Sequence, residues 1–160
     1  MSRLLLALTM FLWTGGVPGE PMQLGVGSAR VTVPSTVTFN VPNVSVSTGA
    51  TAVSSISFNQ VVLGGTEGVR ISVKADGDLT RAGVTSIPAS NISWILSGVT
   101  NGIGANGVLS TTTYTTVYQG TAGKKTGNVE ITWTLSAPGT TVRAGTYQAN
   151  LRWRFDAVTP

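Results

Sequence analysis

Six carboxylates, Glu20, Glu67, Asp76, Asp78, Glu130 and Asp156, are the only acids in a chain of 160 residues that contains no histidine and no cysteine. The chemistry open to such a set is narrow. Two carboxylates could share general acid and base roles, but their spacing singles out no pair. The missing imidazole and thiol remove Ser-His and Cys-His nucleophilic machinery and the usual zinc ligands. Asp76-Gly77-Asp78 offers oxygens that a hard cation would accept, and it is also an ordinary turn sequence. The turn reading is preferred, because no further acid stands close by. "GGTEG" (64–68) and "GIGANG" (102–107) are glycine-rich, but no P-loop Lys-Ser/Thr follows either and no βαβ context surrounds them, so no phosphate cradle is expected. The expectation is a non-enzymatic chain with no catalytic residue, no metal and no cofactor.

Aromatic residues are the next candidates, as platforms on which sugar rings could stack. Their register decides between platform and core. "NISWIL" sets Ile92, Trp94 and Leu96 on one side, "NVEITWTL" sets Val129, Ile131, Trp133 and Leu135 on one side, and "GTYQANLRWRF" sets Tyr147, Ala149, Leu151, Trp153 and Phe155 against Gln148, Asn150, Arg152 and Arg154. Large rings on the apolar side of an alternating strand are core by default, since they dominate burial energetics. Trp94, Leu96, Trp133, Leu135, Tyr147, Leu151, Trp153 and Phe155 are therefore expected to be buried, and Arg152 and Arg154 to be wet. Tyr114, Tyr118 and Tyr147 are the rings that a stacking surface could use.

The formal net charge is +4, and only 10% of residues are charged. Apart from Lys124-Lys125, the basic residues are scattered, as Arg30, Arg70, Lys74, Arg81, Arg143, Arg152 and Arg154. A nucleic-acid footprint would be a basic cluster interleaved with aromatics, so no nucleic-acid partner is expected. A mildly basic surface suits anionic cell-wall polymers or sugars.

The elements that must position these residues are strands. Apolar residues nowhere recur with helical spacing over three turns, whereas alternation recurs throughout: Val31 and Val33, Val37 with Phe39 and Val41, Val69 with Ile71, Val73 and Ala75, and the three runs above. "TYTTVY" is ambiguous. Gly64-Gly65, Asp76-Gly77-Asp78, Asn101-Gly102, Asn106-Gly107 and Pro138-Gly139 punctuate the runs as turns. Residues 98–107 read as a long exposed loop. The sum is an all-β chain, an antiparallel β-sandwich of about seven to nine strands, each sheet with one wet and one buried face.

At the N-terminus, "MSRLLLALTMFLWTGG" places an apolar run from Leu4 to Trp13 behind one arginine. It is too short to span a bilayer and matches the apolar region of a secretory signal peptide. The expected division is a signal peptide over 1–19, an N-terminal extension or first strand over 20–28, and the sandwich over 29–160. The mature chain should have no transmembrane span and should be secreted or held at the cell surface. In "EPMQLGVGSA", Met22, Leu24 and Val26 alternate with polar or small residues. This strand either pairs within its own domain or adds to the sheet edge of a neighbour, which makes Met22, Leu24 and Val26 the assembly candidates.

Trp94-Ile95-Leu96, Trp133-Thr134-Leu135 and the closing "AGTYQANLRWRFDAVTP" resemble the WxL domain of bacterial cell-surface proteins over roughly residues 90–160. Here the last motif reads Trp153-Arg154-Phe155, with Phe in the Leu position. That resemblance implies noncovalent attachment to peptidoglycan. "RAGTYQANLRWRF" also resembles the closing strand of pilin-type and spore-coat-U-type sandwiches, without the cysteine usual in many of them, and this implies an immunoglobulin-like or pilin-like fold and polymerisation by strand donation. The functional expectation is a non-catalytic structural or adhesive protein, self-associating into a homopolymer or bound to a cell-wall polymer. The alternative is a binding module for cell-wall polysaccharide or peptidoglycan.

Overall fold

Alternating β-branched and aromatic residues produce two antiparallel sheets in the structure, a computed structural model that describes residues 22–26, 29–61, 63–81 and 86–160. The strands are β1 (Met22–Val26), β2 (Ala29–Val33), β3 (Thr36–Val41), β4 (Thr48–Gly49), β5 (Ser54–Asn59), β6 (Gly68–Ala75), β7 (Ile92–Thr100), β8 (Gly102–Gly104), β9 (Gly107–Val108), β10 (Thr115–Gly120), β11 (Gly127–Leu135) and β12 (Gly145–Val158). Among the described residues the only helical element is a 3-10 turn, Ala89–Asn91, and no helix is long and apolar enough to cross a membrane. The leader expected over 1–19 lies outside the described residues.

Sheet I runs β1-β2-β5-β11-β7-β9, with β4 paired to the end of β11, and sheet II runs β3-β12-β6-β10-β8. The result is an antiparallel β-sandwich. Its strands outnumber the expectation because β4, β8 and β9 span only two or three residues each, too few for an alternating pattern to show. Residues 98–107 are correspondingly not a free loop. They carry the end of β7 and then β8, which joins sheet II beside β10, before β9 returns to sheet I beside β7.

The inward faces meet in one core. Trp94 and Trp133 stand opposite each other on β7 and β11, with ring centroids 5.5 Å apart in an edge-to-face arrangement. Phe58 of sheet I and Tyr118 of sheet II make a second edge-to-face pair across the sandwich, also at 5.5 Å. Such pairs add to the area burial of the rings. A bulge between Thr116 and Tyr118 resolves the ambiguous stretch around Tyr114: the extra residue lets neighbours Val117 and Tyr118 both turn inward, and both are buried.

Candidate functional site

The eight residues expected in the core divide by position. Trp94, Trp133, Leu135, Tyr147, Leu151 and Trp153 are buried, while Leu96 and Phe155 are half-buried and pack against the cluster from its margin. Tyr118 and Tyr147 cannot serve as stacking platforms, because both rings are buried and both hydroxyls donate to backbone carbonyls, of Thr100 at 2.8 Å and Arg143 at 2.6 Å. Tyr114 alone of the three is half-exposed. Asp76 and Asp78 also have structural partners. Asp76 Oδ1 pairs with Arg152 Nη2 at 2.5 Å, and Asp78 Oδ1 accepts from the Ala89 backbone N–H at 3.0 Å. Among the described residues no three potential metal ligands come together.

The candidate site is a groove on one flank of the sandwich, about 320 Å³ in volume, between the β2–β3 turn with the first half of β3 on one side and residues 51–55 on the other. Its origin is a detour of the backbone. β4 pairs with Thr134 and Leu135 of β11, the chain then leaves sheet I, and β5 resumes pairing with the same strand at Ile131. Between them the Thr51 N–H donates to the Thr38 carbonyl of sheet II at 2.9 Å. The two walls are fixed from inside by tryptophans that the sequence marked only as core. The Trp153 indole N–H donates to the Pro34 carbonyl at 2.6 Å, and the Trp133 indole N–H donates to Ser54 Oγ at 3.0 Å. A buried indole N–H needs an acceptor, so each ring that fills the core also holds one wall in place.

The lining is hydroxyl-rich, with Thr32, Thr36, Thr38, Thr51, Ser54 and Ser55 beside Pro34, Val37 and Val53, and among the described residues it carries no ionisable side chain. The described hydroxyls can both donate and accept hydrogen bonds. Among the described residues β3 pairs with β12 along one side only. The contact from Thr51 shows that the Thr38 carbonyl points away from β12. Since N–H and C=O of one residue point the same way in an antiparallel strand, Thr36, Thr38 and Asn40 present backbone groups to the open side. Val53, 63% exposed, stands at the rim.

The assembly candidates lie on the same flank. Met22, Leu24 and Val26 stand opposite Val33, Val31 and Ala29 in the β1–β2 pairing, so the segment is the outer strand of its own sheet I rather than a detached extension. Among the described residues β1 has a partner on one side only. Sequence reasoning found this segment but missed the groove, whose walls come from separate stretches of chain. No protein-family model matches this chain, and no curated protein or solved structure matches it.

Proposed function

We propose that this protein is a non-catalytic structural protein of the cell exterior whose copies join by strand addition, with Met22–Val26 of one copy pairing along Thr36–Val41 of the next. The observation that carries the reading is the open edge of β3 beside a preformed groove. Backbone groups on such an edge supply affinity and adjacent pockets supply side-chain selectivity. The incoming segment "MQLGV" carries no charge and the groove carries none, so neither side has an ion to desolvate. The one bond to this edge among the described residues, from Thr51 to Thr38, contributes about 1 kcal/mol net, a small barrier to displacement. Joining one surface to a different surface of the next copy is a heterologous contact, which generates open filaments unless the rotation closes a ring. Export is supported by the leader-like run Leu4–Trp13.

The test is electron microscopy of the mature protein over a concentration series, alongside a form lacking residues 20–28. Filaments or rings from the first and monomers from the second are expected. Unchanged assemblies from the shortened protein would sink the proposal.

A further inference from the structure

The outer face of sheet II concentrates charge that looked scattered in the sequence. Arg70 and Lys74 of β6 and Arg152 and Arg154 of β12 all lie on it, against the carboxylates of Asp76 and Asp156. Asp156 accepts from both Arg70, at 3.3 Å, and Arg154, at 3.1 Å. Asp76 holds Arg152. Lys74 has no ion pair among the described residues and stands directly opposite Arg152 in the β6–β12 register, a like-charge pairing that costs stability. Lys74 Nζ and Arg154 Cζ converge on the Tyr114 ring, at 5.2 Å and 4.9 Å from its centre. Arg70 Nε and Gln119 Nε2, on facing residues of β6 and β10, are buried donors with no acceptor among the described residues. The face therefore carries four cations against two carboxylates.

We infer that this face binds a linear anionic polysaccharide, a chain bearing carboxylate or phosphate groups at regular intervals. The strands set the cations in rows, about 4.8 Å apart between strands and roughly 6.7 Å apart along a strand, so an extended polymer can meet Lys74, the face's cation without an ion pair among the described residues, and compete with Asp76 and Asp156 for the neighbouring guanidinium groups. Guanidinium groups suit both oxyanions, through paired N–H donors. The aromatic content favours a glycan over a nucleic acid. Single-stranded nucleic acid is held by several exposed rings in succession, whereas this face has only Tyr114, half-exposed and capped by two cations. The inference is independent of strand addition, because it uses a different surface of the same sheet.

The experiment measures binding of the full mature chain to polygalacturonate, to a glycerol-phosphate polymer, and to neutral dextran, at an ionic strength of about 0.1 M, where charges are screened beyond roughly 10 Å. Binding to one or both polyanions and not to dextran is expected, and which of the two binds tells carboxylate from phosphate. Lys74→Gln combined with Arg154→Gln should lower the affinity about tenfold, while Lys124→Gln combined with Lys125→Gln should change it by less than about twofold. Acetylation of the unaltered protein, mapped by mass spectrometry, gives a readout that needs no variant: bound polymer should protect Lys74 and leave Lys124 and Lys125 reactive. Failure of both polyanions to bind, equal binding of dextran, equal loss in the two variants, or protection of Lys124 and Lys125 instead of Lys74 would each overturn the inference. So would single-stranded DNA or anionic vesicles that bind as tightly and protect Lys74 equally.

Discussion

The two flanks of this sandwich are built on opposite plans. On one, the chain passes from β7 in sheet I to β8 in sheet II and back to β9 in sheet I, so the backbone itself ties the sheets together. Polar contacts secure it: the Trp94 indole donates to the Ala105 carbonyl at 2.9 Å, the Leu96 N–H donates to Asn106 Oδ1 at 3.0 Å, and Tyr118 donates to Thr100. Its terminal strands have three and two residues, short enough to offer a neighbour little to pair with. Glycine permits the closeness here, since a Cβ on Gly107 would lie 2.5 Å from the Trp94 ring. On the other flank β3 keeps six residues with one side unpaired among the described residues, crossed there by a single bond from Thr51. A sandwich must end somewhere, and among the described residues this one closes one flank with chain while the other ends on the longer strand β3.

The largest expected effect comes from breaking the closed flank. Trp94→Ala removes a fully buried ring, its edge-to-face contact with Trp133 and its bond to Ala105, and should cost about 3–5 kcal/mol. That is a large part of the stability of any single domain, roughly 5–15 kcal/mol. On the open flank Val53→Ser changes a side chain already 63% exposed and should stay within about 0.5 kcal/mol. Urea denaturation of both variants checks the contrast, and comparable losses would contradict it.

The same contrast governs what the sequence reveals. β11 alternates over nine residues and β12 from Tyr147 to Arg154, so their inner faces and the burial of Trp133 and Trp153 can be read directly. β8 and β9 cannot, because "GIG" and "GV" offer too few side chains to establish a period. In β10 the bulge puts adjacent residues Val117 and Tyr118 inside together, which destroys alternation locally. Ser72 defies the pattern in another way: it falls on the polar side of β6 yet is 1% exposed, at the centre of the charged face between the positions of Arg70 and Lys74. The groove was least legible of all. Its walls are tied to Trp133 and Trp153 by bonds that span 79 and 119 residues of sequence, and no local pattern reports a contact of that range.

A smaller effect separates the flanks by pH. Burial pushes the Tyr118 phenol above its ordinary value of 10.0, whereas the described residues lining the groove include none that titrates. Between the unfolded and folded values the folded state holds the proton more tightly, so stability falls as pH rises through that window and is unaffected by this group below it. Deprotonation also removes the donor that reaches Thr100. Tyr118→Phe should be about 1 kcal/mol less stable than the unaltered protein at neutral pH, and the difference should shrink above pH 10, where the unfolded phenol ionises. Denaturant titrations at stepped pH would show it, and a gap that widens with pH would contradict the assignment.

The smallest expected change in stability carries the sharpest consequence for assembly. Thr38 lies on the unpaired strand β3, half-buried, with its carbonyl directed to the open side. Thr38→Lys keeps the backbone and the bond from Thr51 and adds a charged side chain beside the edge, the device by which natural sheets prevent edge pairing. The midpoint of denaturation should move by no more than about 0.5 kcal/mol in free energy, while filaments disappear from electron micrographs and sedimentation returns a monomer. Filaments that persist in a stably folded lysine variant would remove β3 as the receiving edge, and with it the difference in role between the two flanks. A lysine on the closed flank, at Val108, supplies the comparison. Val108 is 48% exposed on a two-residue strand, so the same charge there should leave both folding and assembly as they were.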